Sequence, residues 1–251
     1  MALLEVRGLT KRFLGITAVD AVDVSIEAGE LVSLIGPNGS GKTTLFNCVT
    51  GYMAPDTGRV LFHGRDVTGV AAHRIARLGV GRTFQLVSVF PRLSALENLL
   101  TFLQQHQGES VLARLVRAPR VRRYEAAAVE RARMLLDSVG LGARADAPAG
   151  SLSYGQRKLL AFAAALMPDP GLVLLDEPAA AVNPTMINQM KEQILGLHGQ
   201  GKTVLLVEHN MDVVMDISER VIVLDHGQKI AEGSPEAVRR DPKVIEAYFG
   251  R

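Results

Sequence analysis

Gly36-Pro37-Asn38-Gly39-Ser40-Gly41-Lys42-Thr43 decides how this chain folds. The octapeptide matches G-x-x-x-x-G-K-[ST] in full, and its surroundings are those the motif requires. Before it runs Leu31–Ile35, apolar enough for a buried strand; after it, Thr43–Thr50 has the pattern of a helix. Glycines let the backbone curl so that successive N–H groups converge on phosphate oxygens, and the helix opening near Lys42 adds the positive end of its dipole. The loop, together with Thr44, is the candidate phosphate-binding set. Lys42 would bring a mobile positive charge to the β- and γ-phosphates, and the Thr43 hydroxyl is placed to ligate a bridging Mg²⁺.

Working outward, a second buried run, Leu172-Val173-Leu174-Leu175, ends in Asp176-Glu177-Pro178. A strand there carries both carboxylates to the sheet edge where ligands bind in open α/β folds. Asp176 is then a candidate for the Mg²⁺ shell and Glu177 a candidate general base toward water. Thr203–Val207 and Val221–Leu224 read as further buried strands, with helices over Pro184–Leu197 and Met211–Ile217. That alternation predicts βαβ units and a largely parallel sheet. The first sixty residues differ: Leu3–Val6, Ala18–Ile26 and Val60–Phe62, separated by Gly-containing turns, predict an antiparallel element beside the core. From Ser94 to Met167 the pattern is helical, with Ser94-Ala95-Leu96-Glu97 as a capping box and Tyr124–Val139 as an amphipathic helix. The basic stretch Arg114–Arg123, broken by Pro119, reads as a solvated helix end and loop or as a contact for lipid headgroups or an acidic partner.

Composition removes several classes. The chain has 251 residues, 47% hydrophobic and 22% charged, which suits a compact domain rather than a disordered one. A net charge of +2 argues against a nucleic-acid binder. The longest apolar run, Leu159–Met167, is about half the roughly 20 residues a membrane-spanning helix needs. No secretory signal is visible at Met1–Arg7, so a cytosolic location is expected. The single cysteine, Cys48, reads as a buried free thiol.

Leu152-Ser153-Tyr154-Gly155-Gln156 lies between the two motifs, and with it the chain resembles the ATP-binding subunits of ABC transporters. The family signature is Leu-Ser-Gly-Gly-Gln, with Tyr154 here in place of the first glycine. Ser153 and Gly155 open a helix running to Met167, a second helix start able to hold an anion. The resemblance implies that Ser153, Gly155 and Gln156 close on ATP held by another subunit's phosphate loop. It further implies that Gln85 senses Mg²⁺ and the water, that His209 contacts the γ-phosphate, and that Phe13 stacks on adenine. Ala179-Ala180-Ala181-Val182-Asn183 takes the place of the loop joining the two subunits, with Asn183 for the more usual Asp. A finer resemblance, to the ATPases of branched-chain amino acid importers, rests on Arg82-Thr83-Phe84-Gln85, Val207-Glu208-His209-Asn210-Met211 and the tail Val244–Gly250.

The fold expected is therefore α/β: a P-loop NTPase (RecA-like) core with an N-terminal antiparallel β subdomain and an inserted α-helical subdomain. Residues 1–93 and 168–251 would form the core with its β element, and 94–167 the helical insertion. The expected cofactors are ATP and Mg²⁺, and the expected activity is ATP hydrolysis coupled to transport of a small solute. Partners implied by the resemblance are a second ATPase subunit, identical or a sister chain, transmembrane permease subunits and, indirectly, a solute-binding protein. The chain would then sit on the cytoplasmic face of the membrane, held there by the permease. A DNA- or ribosome-directed relative would carry long coiled coils or two ATPase halves, and neither is present. A module that binds nucleotide without turnover would have no need of Glu177.

Overall fold

A computed structural model describes residues 2–83, 89–103 and 119–249. The chain opens with a long hairpin of β1 (Ala2–Phe13) and β2 (Ile16–Glu27), then enters the core through β3 (Leu31–Ile35) and α1 (Lys42–Val49). It returns to the periphery in β4 (Thr57–Phe62) and β5 (Arg65–Asp66), and re-enters after α2 (Ala72–Arg77) through β6 (Val80–Arg82). The helical region follows, with α3 (Ala95–Leu100), α4 (Pro119–Ser138) and α5 (Tyr154–Leu166). Then β7 (Leu172–Asp176), α6 (Pro184–Gly199), β8 (Thr203–Val207), α7 (Met211–Ile217) and β9 (Arg220–Asp225) complete the α/β alternation. The chain finishes with β10 (Gln228–Gly233), α8 (Pro235–Arg239) and α9 (Pro242–Phe249).

These strands form two sheets, an antiparallel one in the order β2-β1-β4-β5 and a six-stranded one in the order β10-β9-β3-β8-β7-β6. In the second, every pairing is parallel except that of β10 with β9. The central strands read as unbroken apolar runs because both of their faces are covered. Alternate side chains of one strand point to opposite faces. Thus Val173, Leu175, Val204 and Leu206 pack with α5 and α6, through Leu159, Phe162, Met190 and Ile194. Leu172, Leu174, Leu205 and Val207 pack instead with Leu45 and Phe46 of α1 and with Val6 and Val24 of the antiparallel sheet. Each such Leu or Val contributes roughly 1.5–3 kcal/mol by burial, so a one-residue slip of a strand would cost several contacts on both faces at once. A third cluster joins Ile35, Val221 and Val223 to Val238 and Val244 of the two C-terminal helices.

The helical region starts as its sequence predicts. Ser94 Oγ accepts from the Glu97 amide at 3.1 Å, and Glu97 Oε2 accepts from the Ser94 amide at 2.7 Å, closing a capping box. The helix expected over Tyr124–Val139 begins earlier, at Pro119, where a missing N–H removes no intrahelical bond. The rest of the basic stretch, residues 114–118, lies outside the described residues. Among the described residues no helix is long and apolar enough to cross a membrane. Cys48 is 1% exposed, and burial, the largest influence on it, pushes its thiol up to about 11.

Candidate functional site

Three loops leave the same edge of the six-stranded sheet. Leu34 of β3 and Asp176 of β7 both stand in register with Val207 of β8. The phosphate loop after β3, the Asp176-Glu177 pair ending β7 and the Glu208-His209 pair after β8 are therefore neighbours. On the far side Arg82 of β6 pairs with Leu174, and Thr83 Oγ1 accepts from the Asp176 amide at 3.3 Å. Gln85, two residues further on, lies outside the described residues.

The phosphate loop is shaped by its own backbone. Gly36 has φ +148, and a Cβ there would lie 2.0 Å from the Leu224 carbonyl oxygen, backbone against backbone. Gly36→Ala is accordingly expected to lose about 3 kcal/mol of stability, read as a drop in denaturant midpoint; an unchanged midpoint would contradict this close packing. α1 begins after Gly41, at φ +101, with no side chain capping it and no acidic residue in its first turn. By contrast Ser94, Ser153, Asn183, Asn210 and Ser234 cap the helices that follow them. The first amides of α1 are thus without a side-chain partner and open to an anion. Lys42 lies inside the loop, donating to the carbonyls of Gly36 at 2.8 Å and Pro37 at 2.9 Å. Burial lowers its pKa, opposed by the nearby carboxylates of Glu177 and Asp176.

Those carboxylates differ in setting. Asp176 is buried, and loss of hydration raises its pKa while Arg82, at 3.0 Å from Oδ2, pulls it down. Glu177 is more open, and its Oε2 lies 3.7 Å from His209 Nδ1, with the His209 side chain 53% exposed. Glu177 also adopts φ +49, a left-handed conformation that non-glycine residues avoid and that clusters at functional sites.

At the start of α5, Ser153 Oγ accepts from the Gln156 amide at 3.2 Å and the Ser153 amide donates to Gln156 Oε1 at 3.0 Å. This capping box leaves the Ser153 hydroxyl proton and the amides of Tyr154 and Gly155 as donors at that helix end. Gly155 packs under α6, where a Cβ would meet Met186 Cε at 2.9 Å. Asn183 caps α6, its Oδ1 accepting from the Met186 amide at 2.9 Å. Phe13 stands at the end of β1, 41% exposed, opposite Ile16. Two residues along β2 from Ile16, the Ala18 carbonyl oxygen lies where a Cβ on Gly41 would meet it at 2.3 Å, so this end of the hairpin runs close to the phosphate loop.

Sequence reasoning assigned no role to three charged residues that the structure builds into this site. Arg82 bonds Asn47 Oδ1, Thr50 Oγ1 and Asp176, joining α1 to β7. Lys158 and Glu208 hold the turn after β7 and the loop after β8. The available signal was a charged side chain adjoining an apolar run, as at Lys158 beside Leu159–Met167, which calls for a buried partner.

The family model described as ABC transporter matches residues 19–180, and the chain belongs to that family, whose members bind and hydrolyse ATP. A second model, for branched-chain amino acid ATP-binding cassette transporters, matches residues 228–251. The high-affinity branched-chain amino acid transport ATP-binding protein BraF of Pseudomonas aeruginosa is 44% identical over 249 residues, 99% of this chain and 98% of the relative. LivG of Escherichia coli strain K12, of the same description, is 41% identical over the same shares. A solved ATP-binding cassette of an ABC transporter in its ADP conformation superposes with TM-score 0.87 at 36% identity, each chain covered in full. A dimeric cassette in a post-hydrolysis state bound to ADP and Pi gives TM-score 0.77 at 28% identity, over 92% of this chain and 98% of that one.

Proposed function

We propose that this chain is one of two ATPase subunits that close over two ATP molecules and drive an importer of branched-chain or other amino acids. What carries the reading is likeness along the whole chain, C-terminal tail included, to the BraF and LivG proteins. The two helix starts with donors to spare, at α1 and α5, support a composite site in which the phosphate loop of one subunit meets Ser153, Gly155 and Gln156 of the other. Residues 1–251 act as a single cassette, with 94–167 as its signature-bearing insertion.

In this reading Glu177 takes a proton from the water that attacks the γ-phosphorus, as the bond to the β–γ bridging oxygen breaks and ADP leaves. Lys42 and His209 face the charge that spreads over the γ-phosphoryl oxygens, and Phe13 stacks on the adenine. The Thr43 hydroxyl and the Asp176 carboxylate, with Gln85, are hard oxygen donors of the kind Mg²⁺ accepts alongside phosphates. Among the described residues no cluster of three or more His, Cys, Asp or Glu offers a rival metal site. Bound there, Mg²⁺ would neutralise β- and γ-phosphate charge.

The permease is assigned to the apolar groove formed by Tyr52, Ile75, Val80, Phe102, Leu103 and Pro168. Arg82 lines this groove and also bonds Asp176, so a permease helix seated there acts on the site through one side chain. A solute-binding protein acts only through that permease, which would hold this chain on the cytoplasmic face of the membrane.

The test is specific ATPase activity of the purified chain against its own concentration. A composite site requires activity per subunit to rise with concentration, or on adding a sister ATPase or permease. Activity per subunit that stays constant under all three would count against the two-subunit site.

A further inference from the structure

At the turn joining the end of β7 to α6, Glu177 and Ala181 have φ +49 and φ +57, two left-handed residues within five. Such a turn persists only where its surroundings over-determine it. The Lys158 ammonium, on the second turn of α5, donates to three successive stations along it: the carbonyls of Glu177 at 3.1 Å, Pro178 at 3.2 Å, and Ala180. From the other side Glu208 Oε1 accepts from the Ala179 amide at 2.7 Å. Glu208 Oε2 accepts from the amides of His209 at 3.1 Å and Asn210 at 3.2 Å. Both side chains are buried, Lys158 at 7% exposure and Glu208 at 0%. One turn back along α5, the Tyr154 ring lies with its centroid 5.8 Å from the ammonium, within cation–π range.

We propose that Lys158 and Glu208 form a two-sided clamp of positioning residues that fixes Glu177 and His209 for hydrolysis and ties both to the signature helix. The proposal deepens the function proposed above and rests on it, since it supposes that Glu177 handles the proton and that α5 meets the partner's nucleotide. The chain of contacts runs from Tyr154 to Lys158, through the backbone of residues 177–180, to Glu208 and the His209 amide. A shift of α5 when subunits close is thereby carried to Glu177 and His209 of the same chain. It also gives Tyr154 a role that glycine cannot fill, because only a ring faces the ammonium. Burial lowers the Lys158 pKa, opposed by the nearby charges of Glu208 and Glu177.

The test uses the full-length chain and four variants: Lys158→Met, the double variant Lys158→Met with Glu208→Gln, Tyr154→Leu and Glu177→Gln. The double variant removes both buried charges and so guards against Lys158→Met failing to fold through an unpaired carboxylate. Turnover, nucleotide affinity by fluorescence titration and amide exchange across residues 177–181 are measured on each. A folded clamp variant should lose on the order of 10² in kcat, the scale of a small misplacement of reacting groups. Its ATP affinity should be unchanged and exchange at 177–181 faster, and Tyr154→Leu, which removes the ring, should shift kcat and exchange the same way to a smaller degree. Wild-type kcat in the double variant overturns the clamp, as does a fall in kcat with unchanged exchange. Full activity in Glu177→Gln would instead overturn the general-base reading, and the clamp with it, whereas loss in Glu177→Gln beside a fully active double variant removes the clamp alone.

Discussion

Glu177→Gln is expected to lower ATP turnover by on the order of 10²–10⁴ while ATP binding survives. The amide keeps the size of the carboxylate but cannot take a proton from water, so the loss falls on the chemical step. Folding should be spared, because this turn is held by backbone groups. The Glu177 amide donates to the Val207 carbonyl at 2.9 Å, and the Glu177 carbonyl accepts from Lys158. A glutamine meets the left-handed φ of +49 at no greater steric cost than the glutamate did. With hydrolysis blocked and Mg·ATP present, closed subunit pairs should accumulate and be seen by size-exclusion chromatography. Wild-type turnover would sink the role given to Glu177. Lost turnover without pairing would point to a sister chain as the obligatory partner.

The second large effect is expected at Lys42→Ala. Its ammonium donates to the Gly36 and Pro37 carbonyls, and in the function proposed above nucleotide binding would exchange those acceptors for phosphate oxygens. A charge-assisted bond to phosphate is about twice as strong as a neutral one, so that exchange favours the ligand. Without the ammonium, ATP affinity should fall by about tenfold or more, since hydrogen bonds to charged groups contribute roughly 1.5–3 kcal/mol. Turnover should fall by on the order of 10²–10³, the range seen when one preorganised transition-state donor is removed. Lys42→Arg should not restore either, because a planar guanidinium is not a compact ammonium that fits both carbonyls in a tight loop. Nucleotide titration and steady-state turnover on both variants check this; wild-type affinity in Lys42→Ala would refute it.

Much of the fold is legible in the sequence because the central strands are buried on two faces. Leu31–Ile35, Leu172–Asp176 and Thr203–Val207 leave almost no polar residue to blur them. The helix starts at Ser94, Ser153 and Asn183 carry their caps in plain view. Less visible were β6, three residues beginning one after Gly79, and β10, an edge strand reading Gln-Lys-Ile-Ala-Glu-Gly with little apolar pattern. Neither is long enough or buried enough to impose a period of two. The site divides the same way. Motif residues such as Lys42, Asp176 and Glu177 are found by local spacing. Arg82, Lys158 and Glu208 act across 94, 22 and 29 positions of sequence, toward Asp176, Ala180 and Ala179. Their partners become apparent only once β6, β7 and β8 lie side by side.

The lone thiol, enclosed beneath the antiparallel sheet with its proton firmly held, has a practical consequence for watching this protein at work. Maleimide and methanethiosulfonate probes need an accessible thiolate, and the native chain offers none. A cysteine introduced at an exposed position such as Met134 would be the one reactive handle per subunit, without first stripping out native sulfur. A pair of spin labels or fluorophores, one on each copy, would then turn every approach and separation of two subunits into a single distance.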